Sequence, residues 1–96
     1  MAGVKANESR LRLRLYIAGN APNSLRAVAN AKAICYEHFD SKCELEIVDL
    51  LVEPGRALAD EIIVTPTLLK LSPPPVRRAV GNLSDTSQVL LTLGGK

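Results

Sequence analysis

The amino-acid sequence predicts a single α/β domain in which a helix connects two parallel strands. Apolar and polar residues alternate over residues 11–17, which is the pattern of a strand buried on one face. A second alternating segment covers residues 43–50, and an alanine-rich, helix-compatible segment lies between the two. A strand, a helix and a strand in about 40 residues favour a right-handed crossover between parallel strands. The length of 96 residues suits one such domain.

The first helix is expected to begin near Pro22 and to end at Glu37 or Phe39. Asn20 or Asn23 is expected to cap it, because a short side-chain oxygen can accept an N–H group of the first turn. The buried face of this helix is expected to carry apolar residues at helical spacing. These residues are Leu25, Val28, Ala29, Ala31, Cys35 and Phe39.

The second half of the chain is patterned less clearly, and it can be divided into helices and strands in more than one way. A short helix is expected over residues 53–61, because proline is tolerated in a first turn. Residues 62–64 are β-prone, and residues 65–69 are expected to form a strand interrupted by Pro66. An edge strand over residues 76–80 and a final helix capped by Ser84 or Asp85 complete the domain.

Composition and charge limit the class of function. The hydrophobic share of 47% and the charged share of 23% are those of a folded globular protein. A net charge of +2 is too small to indicate nucleic acid as the main partner. No apolar run is long enough for a membrane span or a signal peptide, so a cytoplasmic protein is expected. We expect flexible ends at residues 1–9 and 94–96 around a domain over residues 10–93.

The junction between the first strand and the helix has the spacing of a C-x-P-C redox motif, but asparagine occupies both cysteine positions. Asn20 and Asn23 have no thiol, so they cannot carry out disulfide exchange. Cys35 and Cys43 are expected on separate elements, either as ordinary thiols or as a redox switch. His38 is the only histidine, so no metal site and no cofactor are expected.

Three arginines form a basic stripe on the polar face of the first strand. Arg10, Arg12 and Arg14 alternate with leucines. The stripe suits either a solvent-facing sheet surface or a binding face for an acidic protein. RNA-binding sheets need exposed aromatic residues for stacking, and this chain has three aromatic residues in all.

Prolines are concentrated in the ambiguous second half. Pro66 lies between two threonines, and a proline there removes a donor from a sheet and can adopt cis geometry. Pro73, Pro74 and Pro75 follow closely. Segments with weak local preferences can support two packings that differ by a few kcal/mol. These four prolines are therefore candidates for a conformational switch.

Two segments of the chain closely resemble the signature segments of the KaiB family of circadian clock proteins. The first is Leu15-Tyr16-Ile17-Ala18-Gly19-Asn20-Ala21-Pro22-Asn23-Ser24. The second comprises Thr65-Pro66-Thr67-Leu68, Pro73-Pro74-Pro75-Val76-Arg77-Arg78 and Gly81-Asn82-Leu83-Ser84. The resemblance extends over about residues 11–93.

This resemblance implies a thioredoxin-like fold without redox cysteines, and an alternative ground-state fold in which the C-terminal half is rearranged. It implies a homo-oligomer, a dimer or tetramer, in equilibrium with a monomer. It further implies binding to a KaiC-type hexameric ATPase and modulation of its phosphorylation or ATPase cycle. KaiA, or a histidine kinase that competes for the ATPase, are implied as additional partners. No catalysis by the chain itself is implied.

The resemblance also assigns roles to single residues. Partner binding is implied for Arg26, Lys70, Arg77 and Arg78, for the acidic Asp49 and Asp60, and for Glu46 and Glu61, where lysine is usual in the family. Leu11 replaces a commonly aromatic residue and Thr92 a common glycine. Both replacements are expected to favour the thioredoxin-like state. An alternative is a stress-response or signalling adaptor of the same fold without redox activity.

Overall fold

A computed structural model of the chain describes residues 11–40 and 42–94. The elements are β1 (Leu11–Ile17), α1 (Pro22–His38), β2 (Cys43–Asp49), α2 (Arg56–Ala59), β3 (Thr67–Ser72), β4 (Arg77–Val80) and α3 (Thr86–Thr92). The types and the order of these elements are those that the sequence predicts. The expectations for Arg10 and for residues 1–9, 95 and 96 lie outside the described residues.

The four strands form one mixed sheet in the order β2-β1-β3-β4. β1 and β2 are parallel, as the crossover predicts, whereas β3 is antiparallel to both β1 and β4. The carboxyl ends of β1, β2 and β4 therefore meet the start of β3 along one edge of the sheet, which we call the carboxyl edge. The loops that follow β1, β2 and β4, and the segment that precedes β3, all lie at that edge.

Apolar residues cover both faces of the sheet. The larger cluster joins the alternate β1 residues to α1 and α3, and it consists of Leu11, Leu13, Leu15, Ile17, Ala27, Ala31, Ile34, Cys35, Leu68, Leu83, Val89 and Leu93. The smaller cluster, on the opposite face, contains Tyr16, Val48 and Leu69, with Leu50, Ile62 and Leu71 packed against it. The segment that includes α2 covers this second face and contributes Leu50 and Ile62.

The buried face of α1 agrees with the prediction at Ala31 and Cys35 but not at Leu25 and Ala29, which are exposed. Its buried residues are Ser24, Ala27, Ala31, Ile34 and Cys35, whereas Leu25 is 54% exposed. Small residues face the sheet because they allow the helix to pack closely on it. The expected asparagine cap is also absent: Ala21 occupies the N-cap position, and Pro22 begins the helix with its backbone preset for the first turn.

The segment before β3 was expected to be β-prone, but it is irregular. Glu61 adopts a positive φ of 56°, which ends α2. The backbone N–H of Ile62 then donates to the Ala57 carbonyl at 2.8 Å, as in a Schellman motif. These backbone bonds and Pro66 take residues 62–66 out of the sheet, so Pro66 precedes β3 and does not interrupt it. The Thr65–Pro66, Ser72–Pro73 and Pro74–Pro75 bonds are cis.

The final helix follows the prediction closely. The Asp85 side chain accepts a hydrogen bond from the Gln88 backbone N–H at 3.2 Å, so Asp85 is the cap and Ser84 is not. Val89 and Leu93 bring α3 into the larger core cluster. Over residues 11–40 and 42–94, no helix has both the length and the apolar character that a bilayer span requires.

The packing predicts a large contrast between one buried and one exposed leucine. Leu15 is fully buried in the larger cluster, whereas Leu91 on α3 is 69% exposed. We expect Leu15→Ala to lower the free energy of unfolding by about 2–5 kcal/mol, because it leaves a cavity. Leu91→Ala should change it by about 0.5 kcal/mol or less. Urea unfolding measures both, and equal losses would contradict this core.

Candidate partner-binding site

A polar network fastens the α2 segment to the sheet. Tyr16 in β1 is fully buried, and its hydroxyl donates a hydrogen bond to the Asp60 carboxylate. Arg14 in β1 donates from Nη1 to the same Asp60 oxygen at 2.9 Å. Two groups from one strand thus hold the residue that ends α2. Asp60 was expected to bind a partner, but here it binds β1.

Glu46 extends this network to the edge strand. Its Oε1 accepts from Arg14 Nε at 2.7 Å, and its Oε2 accepts from Arg56 Nη2 at 3.1 Å. Arg56 also lies 3.3 Å from Glu53. Glu46 therefore links β1, β2 and α2, and both of its carboxylate oxygens are occupied within the chain.

The pKa shifts in this network follow from its contacts. The hydrogen bond from Tyr16 lowers the pKa of Asp60, and the Arg14 cation lowers it further. The hydrogen bond from Arg14 likewise lowers the pKa of Glu46. Burial raises the pKa of Tyr16, and the hydrogen bond to Asp60 adds to that shift. The network is therefore most stable with ionised carboxylates and a neutral phenol.

The basic stripe on β1 is not a free binding face. Arg12 pairs with Glu44 at 3.3 Å, and Arg14 pairs with Glu46. These partners lie directly opposite in the β1–β2 register, so β2 neutralises the charges that β1 presents. Arg10 lies outside the described residues. These ion pairs favour the other interpretation of the stripe, a solvent-facing sheet surface, for Arg12 and Arg14.

Arg78 also helps to fasten the α2 segment to the sheet. Its guanidinium donates to the backbone carbonyls of Asp60 and Glu61 at 3.0 and 3.1 Å. The side chain therefore bridges β4 and the end of α2. The Glu61 side chain is exposed beside it. Glu46, Asp60, Glu61 and Arg78 are the predicted site residues that the fold brings together.

The other predicted basic residues are spread over the surface. Arg26 is exposed on α1, and Arg77 is exposed on β4, where strand alternation directs it to the face opposite Arg78. Among residues 11–40 and 42–94, neither forms an ion pair. Lys70 lies opposite both Leu13 and Arg77 and is only 4% exposed, so in this conformation it is not available to a partner.

Asp49 ties together two loops at the carboxyl edge. Its Oδ1 accepts hydrogen bonds from the backbone N–H groups of Gly19 and Leu51 at 3.0 and 2.9 Å. Gly19 has a positive φ of 58°, and a Cβ there would come within 2.7 Å of Leu51 Cδ1. The positive φ favours glycine at this position, and a larger residue would also displace the end of the Leu51 side chain. Asp49 positions these loops from within the chain.

The candidates for conformational switching occupy contrasting environments. Leu11 is buried in the larger cluster and Pro66 is buried before β3, whereas Pro73, Pro74 and Pro75 are exposed between β3 and β4. The Thr92 hydroxyl donates to the Gln88 carbonyl at 3.1 Å within α3. These positions do not test the conformational switch, so the role of these residues in switching stays a prediction.

Sequence reasoning missed an exposed apolar surface around the carboxyl edge. Large apolar side chains lie in the loops after β2 and before β3, at the end of β4 and in the first turn of α1. We call these residues the apolar rim: Leu25, Leu51, Val52, Ile63, Val64 and Val80. Ile63 is 92% exposed. In the sequence, this surface is indicated only by adjacent pairs of apolar residues that lie outside the strands.

Comparison with known proteins identifies the family. The family model described as the KaiB domain matches residues 14–94. The chain belongs to the KaiB family. The circadian clock protein KaiB3 of Synechocystis sp. is 47% identical over 85 residues, which cover 88% of this chain and 83% of that protein. The circadian clock oscillator protein KaiB of Prochlorococcus marinus subsp. pastoris is 48% identical over 81 residues, covering 84% and 76%.

Solved structures confirm the thioredoxin-like fold of this KaiB-family chain. The N-terminal domain of Synechococcus elongatus SasA aligns with a TM-score of 0.71 at 24% identity, covering 88% of this chain and 84% of that one. Fasciola hepatica thioredoxin aligns with a TM-score of 0.73 at 17% identity, covering 99% and 89%. At these identities the likeness concerns the fold alone. Asn20 and Asn23 are exposed at the start of α1, and neither can act as a thiol nucleophile.

The buried phenol predicts a titration that Asp60 controls. Tyr36→Phe leaves Tyr16 as the only tyrosine, so phenolate absorbance then reports Tyr16 alone. We expect it to ionise above the ordinary tyrosine pKa of 10.0, and Asp60→Asn to lower its midpoint. The pKa of Tyr16 is higher in the folded than in the unfolded chain, so the neutral phenol stabilises the fold. This stabilisation is fully present below about pH 10 and is lost as pH rises through the pKa of Tyr16 in the folded chain.

The matched control for this titration is Asp40→Asn, which removes an exposed carboxylate at the end of α1. It should leave the Tyr16 midpoint in place. An Asp60→Asn variant that folds and titrates like its parent would contradict the Tyr16–Asp60 contact.

Proposed function

We propose that this KaiB-family chain is a non-enzymatic regulator that binds a KaiC-type hexameric ATPase and modulates its phosphorylation or ATPase cycle in a timing system. The observation that carries the proposal is the KaiB-domain match over residues 14–94, supported by relatives described as circadian clock proteins. Asparagine at positions 20 and 23 argues against a disulfide oxidoreductase on the same fold.

The apolar rim is the surface best suited to this binding. Loops beyond the carboxyl ends of strands are the usual binding positions in α/β sheets. Interfaces concentrate their binding energy in apolar anchors surrounded by polar residues. Ile63 and Leu51 provide exposed anchors, and Arg26 follows Leu25 in the first turns of α1. A complementary ATPase surface would carry an apolar centre with acidic neighbours.

Arg78 and Glu61 have a supporting role in this proposal. Arg78 holds the backbone at residues 60 and 61, and this fixes the start of the segment that presents Ile63 and Val64. Glu61 adds an exposed negative charge there. A charge of that sign favours an ATPase with a complementary basic group and disfavours one with an acidic group.

The chain would act with other proteins that use the same ATPase. A histidine kinase with a KaiB-like domain would compete for the ring, and KaiA is a further candidate partner. The thioredoxin-like fold of the SasA domain supports such competition, because similar folds can present similar surfaces. Homo-oligomer formation would compete with ATPase binding if it covered the apolar rim.

Binding to a purified KaiC-type ATPase tests the proposal directly. We expect Ile63→Asp to weaken binding at least tenfold, because it places a charge at an apolar anchor. Arg26→Ala should weaken it by a smaller factor. The matched controls are Leu91→Asp on α3 and Lys32→Ala on α1, which make the same chemical changes away from the rim.

Binding is measured with ATP and with ADP bound to the ATPase. Equal effects of Ile63→Asp and Leu91→Asp would contradict the rim as the docking surface. Absence of binding in every nucleotide state would contradict the ATPase proposal and favour the alternative, an adaptor in stress response or signalling.

We also propose that the second half can adopt the alternative family fold. Thr92→Gly should lower the stability of α3 by about 0.3–0.5 kcal/mol, because glycine is less favourable than threonine in a helix. If the two folds differ by a few kcal/mol, a second set of NMR signals with strand-like shifts should grow about twofold for residues 86–93. Ala29→Gly in α1 is the control, because the first half is common to both folds.

Size-exclusion chromatography then shows whether the second set of signals belongs to a larger species. Random-coil shifts without a second folded conformer in Thr92→Gly would contradict the proposed switch.

A further inference from the structure

The last helix and the loop before it are only lightly packed on the sheet. The loop covers residues 81–85, and α3 has seven residues with one buried side chain, Val89. A cleft of about 360 Å³ is lined by β4, this loop and α3. A helix of this length is not stable by itself, so its position depends on the few contacts that attach it to the rest of the chain.

The loop has a defined conformation that couples it to α3. Gly81 and Leu83 have positive φ values of 112° and 65°, and Leu83 is only 4% exposed. The Asn82 Oδ1 accepts a hydrogen bond from the Ser84 N–H at 3.0 Å, and Asp85 then caps α3. A displacement of the loop therefore displaces the start of the helix.

One side chain of α1 fastens this loop. The Asn30 Nδ2 donates a hydrogen bond to the Asn82 backbone carbonyl at 2.8 Å, across 52 residues of sequence. Asn30 is half-buried, so the bond is partly shielded from water. In the part of the chain that the structure describes, it is the one side-chain hydrogen bond between α1 and the second half. Asn30 therefore contributes directly to how firmly the loop is held.

Lys70 lies beneath the end of α3. It is 4% exposed and, by strand alternation, on the same face of β3 as Leu68, which packs with Val89 and Leu93 in the larger cluster. A Cβ at Gly94 would lie 3.7 Å from Lys70 Nζ, so the ammonium is next to the chain that leaves α3. Among the described residues, Lys70 forms no ion pair. A buried cation without a counter-charge is better hydrated when its cover opens.

We propose that residues 81–93 form a lid over Lys70, and that Asn30 is the latch that holds the lid closed. In the open state the lid separates from the sheet while β3 and β4 remain paired, which distinguishes this opening from the alternative fold. The Asn30 bond and the apolar packing of α3 oppose opening, and hydration of Lys70 favours it. The lid therefore controls the access of solvent, and of an anionic group of a partner, to this cation. Only the partner's access rests on the proposed function, because the lid is a local equilibrium within the free chain.

The initial rate of lysine acetylation in the folded chain measures this opening. After the reaction, an arginine-specific protease releases residues 57–77, in which Lys70 is the single lysine, and residues 27–56, whose two lysines are exposed. The wild-type chain should acetylate Lys70 more slowly than these two lysines. Asn30→Ala should speed acetylation of Lys70 about fivefold relative to them, which is the factor expected for the loss of one hydrogen bond.

Asn23→Ala is the matched control, because Asn23 is exposed in the first turn of α1 and undergoes the same chemical change. It should leave the acetylation rate of Lys70 unchanged. Alanine favours a helix more than asparagine does, so Asn30→Ala does not weaken α1 itself. Equal rates at Lys70 in the two variants, or a wild-type Lys70 as reactive as the exposed lysines, would overturn the proposal.

Urea separates opening of the lid from unfolding of the whole domain. Opening of the lid exposes little surface, so urea below the unfolding transition should change the rate at Lys70 only slightly. In Asn30→Ala, amide hydrogen exchange should become faster in α3 and stay unchanged in β3. A steep urea dependence, or equally faster exchange in β3, would show that Lys70 is reached by global unfolding and would refute the lid. None of these measurements involves the ATPase, so their outcome is separate from that of the proposed function.

Discussion

The buried hydroxyl of Tyr16 is the constraint on which the second half of this molecule depends. A fully buried phenol needs a hydrogen-bond acceptor, and Asp60 provides it at the end of α2. Because Asp60 also binds Arg14, and Arg14 binds Glu46, one buried group organises charges from β1, β2 and the α2 segment. α2 itself has four residues and no buried side chain. Its position therefore depends on polar contacts as much as on apolar packing.

This arrangement gives the two faces of the sheet different kinds of support. The face covered by α1 and α3 has a large aliphatic cluster, whereas the apolar cluster on the opposite face has three buried members among residues 11–40 and 42–94. Removing one partner of a buried polar contact leaves the other partner without a hydrogen bond, and this lowers the free energy of unfolding. The α2 segment is therefore the part of the fold most sensitive to single changes of charge. Glu46 belongs to this network through its ion pairs with Arg14 and Arg56.

The first half of the fold could be predicted because its local patterns agree with its packing. Alternation in β1 and β2 and the length of α1 were sufficient for the parallel crossover. The rotation of α1 could not be predicted, because its many small residues give weak preference to any one face. The segment at residues 62–64 was misjudged because β-branched residues do not form a strand when the preceding turn and the following proline direct the backbone elsewhere.

The candidate site was less accessible to prediction than the fold. In the sequence, Arg12 and Arg14 form part of a basic stripe. In the structure, the β1–β2 register places Glu44 and Glu46 opposite them. The resemblance implies partner binding for Lys70 and Asp60, yet the fold buries Lys70 and pairs Asp60 with Arg14. Such pairings depend on contacts between residues that are distant in the chain. The apolar rim is equally a product of topology, because it collects residues from four separate parts of the chain.

The shared acceptor at Asp49 has a mechanical consequence for the start of α1. One carboxylate oxygen holds the amides of Gly19 and Leu51, and the Leu51 side chain fills the space beside Gly19. The loops after β1 and β2 are therefore coupled, and a partner that displaced Leu51 would also displace the turn that precedes α1.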